Sequence, residues 1–281
     1  MPQFEQPILQ IKNLKRQFGN GCDNCRSLQA AALEKNFCPI CGTVYACRNI
    51  NLEVYEGEIL GVVGESGSGK STLMQCLYFD QEATAGEFLL NGYKAGQVNL
   101  FTESAQQKRH IRNYHLGMVY QNPIYGLKMD FSSVGNVAEK LIAAGNRNVA
   151  QMIERTTELL THVNIPLRRM KEAPKNFSGG MQQRVQIAKA LSNNPPVLLL
   201  DEITTGLDLS VQANVLDLIK QIQRELKISM IVVSHDLAVI RMLADRTVVM
   251  LNGEVVESGL TDQILEDPQH PYTQQLVYSL L

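Results

Sequence analysis

Gly64-Glu65-Ser66-Gly67-Ser68-Gly69-Lys70-Ser71-Thr72 decides how this sequence folds. The apolar run Ile59 to Val63 leads into it, and a helical pattern from Lys70 to Phe79 leads out. Closely spaced glycines let backbone N–H groups turn inward, and the start of the helix adds the positive end of its dipole. A strand–loop–helix of this kind cradles phosphate oxygens. Lys70 is placed to reach β- and γ-phosphates, and the Ser71 hydroxyl suits Mg²⁺. A plain Gly/Ser-rich connector is the alternative, and it does not account for the flanking strand and helix.

Two further strands extend the pattern. Val197-Leu198-Leu199-Leu200 is a continuous apolar run, as in a strand buried on both faces, and it ends in Asp201-Glu202. Ligands in open α/β sheets bind beyond the carboxyl ends of the strands. Asp201 is therefore placed to support Mg²⁺ and Glu202 to polarise an attacking water. Phosphoryl transfer needs chiefly positioning and charge stabilisation, so this short set of groups suffices. Met230 to Val233 is a second such strand, and Ser234-His235-Asp236 puts His235 at the same kind of edge.

Elsewhere Ile8 to Phe18 and Val44 to Val54 read as strands. Residues 85–175 read approximately as a helical subdomain, with Ala150 to Val163 its clearest helix. A helix opens at Ser178 and is stopped by Asn193-Asn194-Pro195-Pro196. Thr247 to Leu251, Asn252-Gly253 and Glu254 to Glu257 read as a hairpin with a tight turn. Buried strands alternating with helices give an α/β fold with a mainly parallel sheet.

Composition narrows the function. Against 28 Asp and Glu stand 26 Lys and Arg, a net charge of −2, so no basic footprint points to a nucleic-acid partner. No apolar stretch is long enough to span a bilayer. Met1-Pro2-Gln3-Phe4-Glu5 lacks the basic and apolar regions of a secretory leader, so a cytoplasmic location is expected.

Phe177-Ser178-Gly179-Gly180-Met181-Gln182-Gln183-Arg184 combines a good N-cap residue, two glycines that bare the backbone, and a following helix. That is a second anion-binding helix terminus in one chain. It resembles the signature of the ATP-binding cassette (ABC) proteins, and the resemblance covers nearly the whole chain apart from residues 20–43. It implies a P-loop NTPase cassette with a RecA-like core, an antiparallel β subdomain and a helical signature subdomain. It also implies a head-to-tail dimer in which Ser178, Gly179 and Gly180 face the ATP of the second ABC subunit. Gln121, in Val119-Tyr120-Gln121-Asn122-Pro123, matches the Q-loop that touches Mg²⁺ and its water. Asp208 matches the D-loop at the dimer seam, and Phe18 the adenine-stacking aromatic. The family usually has proline after the catalytic glutamate, whereas Ile203 stands here, which puts the rigidity of that turn in question.

Glu257-Ser258-Gly259 and His270-Pro271-Tyr272-Thr273-Gln274-Gln275-Leu276 resemble two ABC subfamilies. One is the ATPase of the carbon–phosphorus lyase system, which degrades phosphonates; the other energises peptide and nickel importers. The segment Gly126-Leu127-Lys128 to Gly135-Asn136-Val137-Ala138-Glu139-Lys140-Leu141, the reading Met181-Gln182-Gln183-Arg184 and the stop at Leu281 favour the first. That resemblance implies soluble lyase core subunits as partners. The importer alternative implies membrane permease subunits and a peripheral membrane location. A non-transport cassette acting on nucleic acid or ribosomes usually has tandem cassettes or basic extensions, and this sequence has neither.

Cys22-x2-Cys25-x12-Cys38-Pro39-Ile40-Cys41-Gly42 has the form of a compact zinc ribbon inserted at residues 20–43, with four thiolates for one structural Zn²⁺. Disulfides, a metal-free loop and an iron–sulfur cluster are the alternatives. Cys47 and Cys76 read as core thiols.

Overall fold

The structure is a computed structural model that describes residues 6–26 and 33–279. The first five residues, read above for a leader, lie outside the described residues, as do 27–32 of the cysteine-bearing insertion and Leu281. The chain divides into two compact units.

The first unit comprises Met1–Tyr55, Ile59–Glu103 and Val233–Leu281. Its antiparallel sheet has the order β2-β1-β4, from β1 (Pro7–Phe18), β2 (Val44–Tyr55) and β4 (Ala85–Leu90). In β1 the buried positions run Leu9, Ile11, then Leu14, which changes parity. A bulge with Asn13 at φ 51° absorbs the extra residue. β4 falls within the stretch read as helical. Phe88 and Leu90 alternate with more exposed neighbours and are fully buried, and the long-range pairing with β1 makes this segment a strand.

The same unit holds β3 (Ile59–Val63), every residue of which is buried. It pairs in parallel with β8 (Arg246–Leu251), and β8 pairs antiparallel with β9 (Glu254–Leu260). Asn252 and Gly253 join those two strands with φ of 51° and 81°, the signs of a type I′ turn. The helices of this unit are α1 (Asp23–Arg26), α2 (Lys70–Leu77), α9 (Leu237–Leu243), α10 (Thr261–Glu266) and α11 (Pro271–Tyr278).

The second unit comprises Glu56–Glu58 and Ser104–Val232. β5 (Leu116–Val119) pairs in parallel with β6 (Val197–Asp201), and β7 (Ser229–Val233) follows β6 in the sheet; all three are buried throughout. Its helices are α3 (Ala105–Tyr114), α4 (Pro123–Gly126), α5 (Ser133–Ala143), α6 (Val149–His162), α7 (Gly179–Ala190) and α8 (Leu209–Leu226). α6 buries Met152, Thr156, Leu159 and Leu160, one stripe of a 3.6-residue period. Among the described residues no helix is long and apolar enough to cross a membrane.

Candidate functional site

In the first unit, the loop after β3 is built by glycines that nothing else could replace. Gly64 and Gly69 have φ of 151° and 105°. A Cβ on Gly64 would lie 2.2 Å from the Met250 carbonyl oxygen, and one on Gly69 would lie 2.1 Å from that of Ala46. Gly69 caps α2, which begins at Lys70, so Ser71 and Thr72 stand in its first turn. Glu65, Ser66 and Gly67 are exposed, whereas Ser68 and Lys70 are buried. The Lys70 ammonium donates to the carbonyls of Gly64 at 2.7 Å and Glu65 at 2.8 Å. The cation is thus held at the loop by its own backbone carbonyls. Phe18, at the end of β1, is 40% exposed, and the Arg16 guanidinium lies 4.4 Å from its ring centroid. His235 is exposed in the turn between β7 and α9.

In the second unit, β6 ends at Asp201, which is buried. Glu202 follows with φ 44°, a left-handed conformation that costs a non-glycine residue about 1–2 kcal/mol. Its carboxylate Oε2 accepts hydrogen bonds from Gln121 Nε2 at 2.9 Å and from the Thr205 hydroxyl at 3.2 Å. Gln121 and Glu202, 81 residues apart, are thus direct partners. Ile203 is 1% exposed, so the residue in the usual proline position serves the core. The oxygen donors Ser71, Gln121 and Asp201 are of the hard type that Mg²⁺ takes.

The signature opens α7, as its sequence suggests. Ser178 occupies the N-cap with extended backbone but makes no side-chain capping bond, so the expected cap is met in position only. Gly180 has a packing reason: a Cβ there would lie 2.2 Å from Val211 Cγ1 on α8. Asp208 caps α8, accepting from the Val211 N–H at 3.0 Å and the Ser210 hydroxyl at 2.8 Å. The Val211 amide, then the Ser210 hydroxyl, hold its carboxyl below the usual carboxylate range.

Two glutamines without a role in the sequence reading stand behind this machinery. Gln186 is 1% exposed; its Oε1 accepts from the Tyr120 N–H at 2.6 Å and its Nε2 donates to the Tyr120 carbonyl at 3.1 Å. Gln183 donates to the Gln121 carbonyl at 3.0 Å. Helix α7 therefore grips the backbone at Tyr120 and Gln121. Glutamine on a helix gives no sequence signal of such a role, because only the fold supplies the partner.

Cys22, Cys25, Cys38 and Cys41 form a cluster whose sulfurs all lie within 4.8 Å of one another. Cys22 is 3.6 Å from Cys25 and 3.9 Å from Cys38, and Cys25 is 3.6 Å from Cys41. A disulfide needs about 2.05 Å. A tetrahedron with metal–sulfur bonds of about 2.3 Å has sulfur–sulfur edges of about 3.8 Å, so these donors fit one tetrahedral ion. Thr43 draws the Cys41 thiol down to about 6, through its side chain and backbone. Cys22 is drawn down by its backbone hydrogen bond to Cys25, but burial and the neighbouring sulfurs outweigh this and push it to about 11. Cys47 and Cys76 are buried in the core, and burial raises both thiols, Cys76 to about 11.

Comparison with known proteins identifies the family. The family described as ABC transporter matches residues 47–205. PhnK of Escherichia coli (strain K12), named as a phosphonates utilization ATP-binding protein, is 43% identical over 99% of both chains. The oligopeptide transport ATP-binding protein OppD of Bacillus subtilis (strain 168) is 37% identical over 91% of this chain and 72% of its own. The dimeric ATP-binding cassette MJ0796 in a post-hydrolysis state, bound to ADP and Pi, superposes with a TM-score of 0.74 at 28% identity, covering 90% of this chain and 98% of its own. With a family model over more than half of its length and a relative 43% identical end to end, the chain belongs to the ABC transporter family, as an ATPase that takes ATP with Mg²⁺.

Proposed function

We propose that this chain hydrolyses ATP as one half of a head-to-tail pair and energises the breakdown of phosphonates. In this reading Lys70 and the amides of residues 64–72 bind the phosphates. Ser71, Asp201 and Gln121 hold Mg²⁺, and Phe18 stacks on the adenine. Glu202 polarises the attacking water, oriented by Gln121, and His235 supports the γ-phosphate. Ser178, Gly179, Gly180 and Asp208 serve the seam and the second subunit's ATP. Support for the pair comes from the dimeric form of the MJ0796 cassette. Mixing a Ser178→Arg chain with a Lys70→Ala chain tests it: activity should reappear in the mixture, and a mixture as inactive as either parent overturns it.

The observation that carries the phosphonate assignment is the 43% identity to PhnK across 99% of both chains. Soluble carbon–phosphorus lyase subunits are then the partners. The segment from Gly126 to Leu141, on which that resemblance partly rests, is braced internally. Asn136 is buried and pairs with both the N–H and the carbonyl of Lys128, at 2.7 and 3.0 Å. Glu139 bridges Lys128 at 2.6 Å and Lys189 at 2.9 Å. The similarity to OppD supports a second reading, an importer subunit docked on permeases. Gene deletion separates the two. Loss of growth on a phosphonate as sole phosphorus source, restored by the wild-type gene but not by Glu202→Gln, is expected. Intact phosphonate growth with lost peptide uptake would favour the importer.

The same proposal places one structural Zn²⁺ on Cys22, Cys25, Cys38 and Cys41. Four protein ligands would close its coordination shell, leaving no position for substrate.

A further inference from the structure

Glu257-Ser258-Gly259 and His270-Pro271-Tyr272-Thr273 have no part in the hydrolysis chemistry above, yet they lie along one run of contacts. The Glu257 carboxylate on β9 accepts the backbone N–H groups of Gln269 at 2.8 Å and His270 at 3.0 Å. His270 Nδ1 accepts the Tyr272 N–H at 3.2 Å and caps α11, with Pro271 in its first turn. Proline suits that position because it has no N–H to satisfy and its φ is already helical. Thr273 is fully buried. The start of α11 is therefore fixed in place. From it, the Tyr272 hydroxyl accepts the Glu65 N–H at 2.7 Å, across 207 residues of sequence.

The peptide unit joining Gly64 to Glu65 is thus held at both ends. Its carbonyl accepts from Lys70 at 2.7 Å and its N–H donates to Tyr272 at 2.7 Å. Gly64 has no side chain to resist rotation of that unit, and its φ of 151° lies in the region glycine alone visits freely. When Lys70 turns to a phosphate, the carbonyl end loses its cation. Tyr272 then remains to keep the unit from swinging its carbonyl toward the anion.

We propose that Tyr272 is a positioning residue of the nucleotide loop, holding the Gly64–Glu65 peptide in its nucleotide-receiving orientation from the C-terminal helix. The proposal rests on the reading of residues 64–72 as the ATP site, which Lys70→Ala tests separately by loss of Mg-ATP binding. The decisive variant is Tyr272→Phe in the full chain, which keeps the ring and removes the acceptor. Its dissociation constant for Mg-ATP should rise about three- to tenfold, the size of one ordinary hydrogen bond. Its melting temperature should stay within about 2 °C of wild type. An unchanged dissociation constant overturns the proposal, as does a rise that merely tracks a falling melting temperature. Hydrogen exchange in nucleotide-free wild type gives a measurement that needs no variant. The Glu65 amide should be protected, and exchange at the rate of an open loop amide overturns the assignment whatever the variant does.

Discussion

Gln121 Nε2 donates a 2.9 Å hydrogen bond to Oε2 of Glu202, and the same oxygen accepts from Thr205. The carboxylate is thereby oriented from two sides while its backbone sits at φ 44°. A strained residue held by specific neighbours fits a group whose direction matters to the reaction. Glu202→Gln should therefore bind ATP normally and hydrolyse it at least about a hundredfold more slowly. A steady-state phosphate-release assay reads this, and wild-type turnover by the variant would remove Glu202 from the reaction.

Gln186 offers a test of the grip on the Q-loop. Gln186→Leu keeps the approximate size but leaves the Tyr120 N–H and carbonyl without these partners, at a cost of about 1–3 kcal/mol. Chemical denaturation should show that loss. Turnover should fall more than the affinity for ATP, because the loosened segment carries Gln121 and not the phosphate loop. A rise in KM with unchanged kcat would contradict the assignment.

For the cysteine cluster, protein purified without added metal should carry one Zn²⁺ per chain. Cys38→Ser with Cys41→Ser should abolish that content, because structural zinc supplies much of the folding energy of such a small module. ATP hydrolysis by the isolated double variant should stay within a few-fold of wild type. Iron with visible absorbance in the metal analysis would replace zinc by a cluster, and complete loss of hydrolysis would tie the module to catalysis.

Lys140 gives a pH dependence with a definite sign. It is buried on α5, its ammonium 3.1 Å from the Leu116 carbonyl, and burial pulls its pKa down to about 7, with Lys189 and Arg112 adding repulsion. Its ordinary value is 10.5, so between about 7 and 10.5 the unfolded chain binds more protons than the folded one. This group therefore makes the fold more stable as pH rises through that window, by up to a few kcal/mol. Urea denaturation at pH 7 and pH 9 should show the rise in wild type. Lys140→Met should lack that component, and equal slopes for the two proteins would show that Lys140 does not carry it.

The sequence alone determined the phosphate loop, because its chemistry is local: glycines, a lysine and a hydroxyl between an apolar strand and a helix. The Asn252-Gly253 turn and the paired Cys-x-x-Cys knuckles were legible for the same reason, since neighbours along the chain suffice to build each. β4 was not legible, because residues 85–90 become a strand only by pairing with β1, 70 to 81 residues away. The capping bond expected of Ser178 was not made, and the glycine beside it proved to be required by Val211 on another helix. Tertiary structure alone decided that Gln186 grips Tyr120 and that Tyr272 holds Glu65. A glutamine or a tyrosine can donate and accept almost anywhere, so its partner is set by which backbone groups the packed elements bring within about 3 Å.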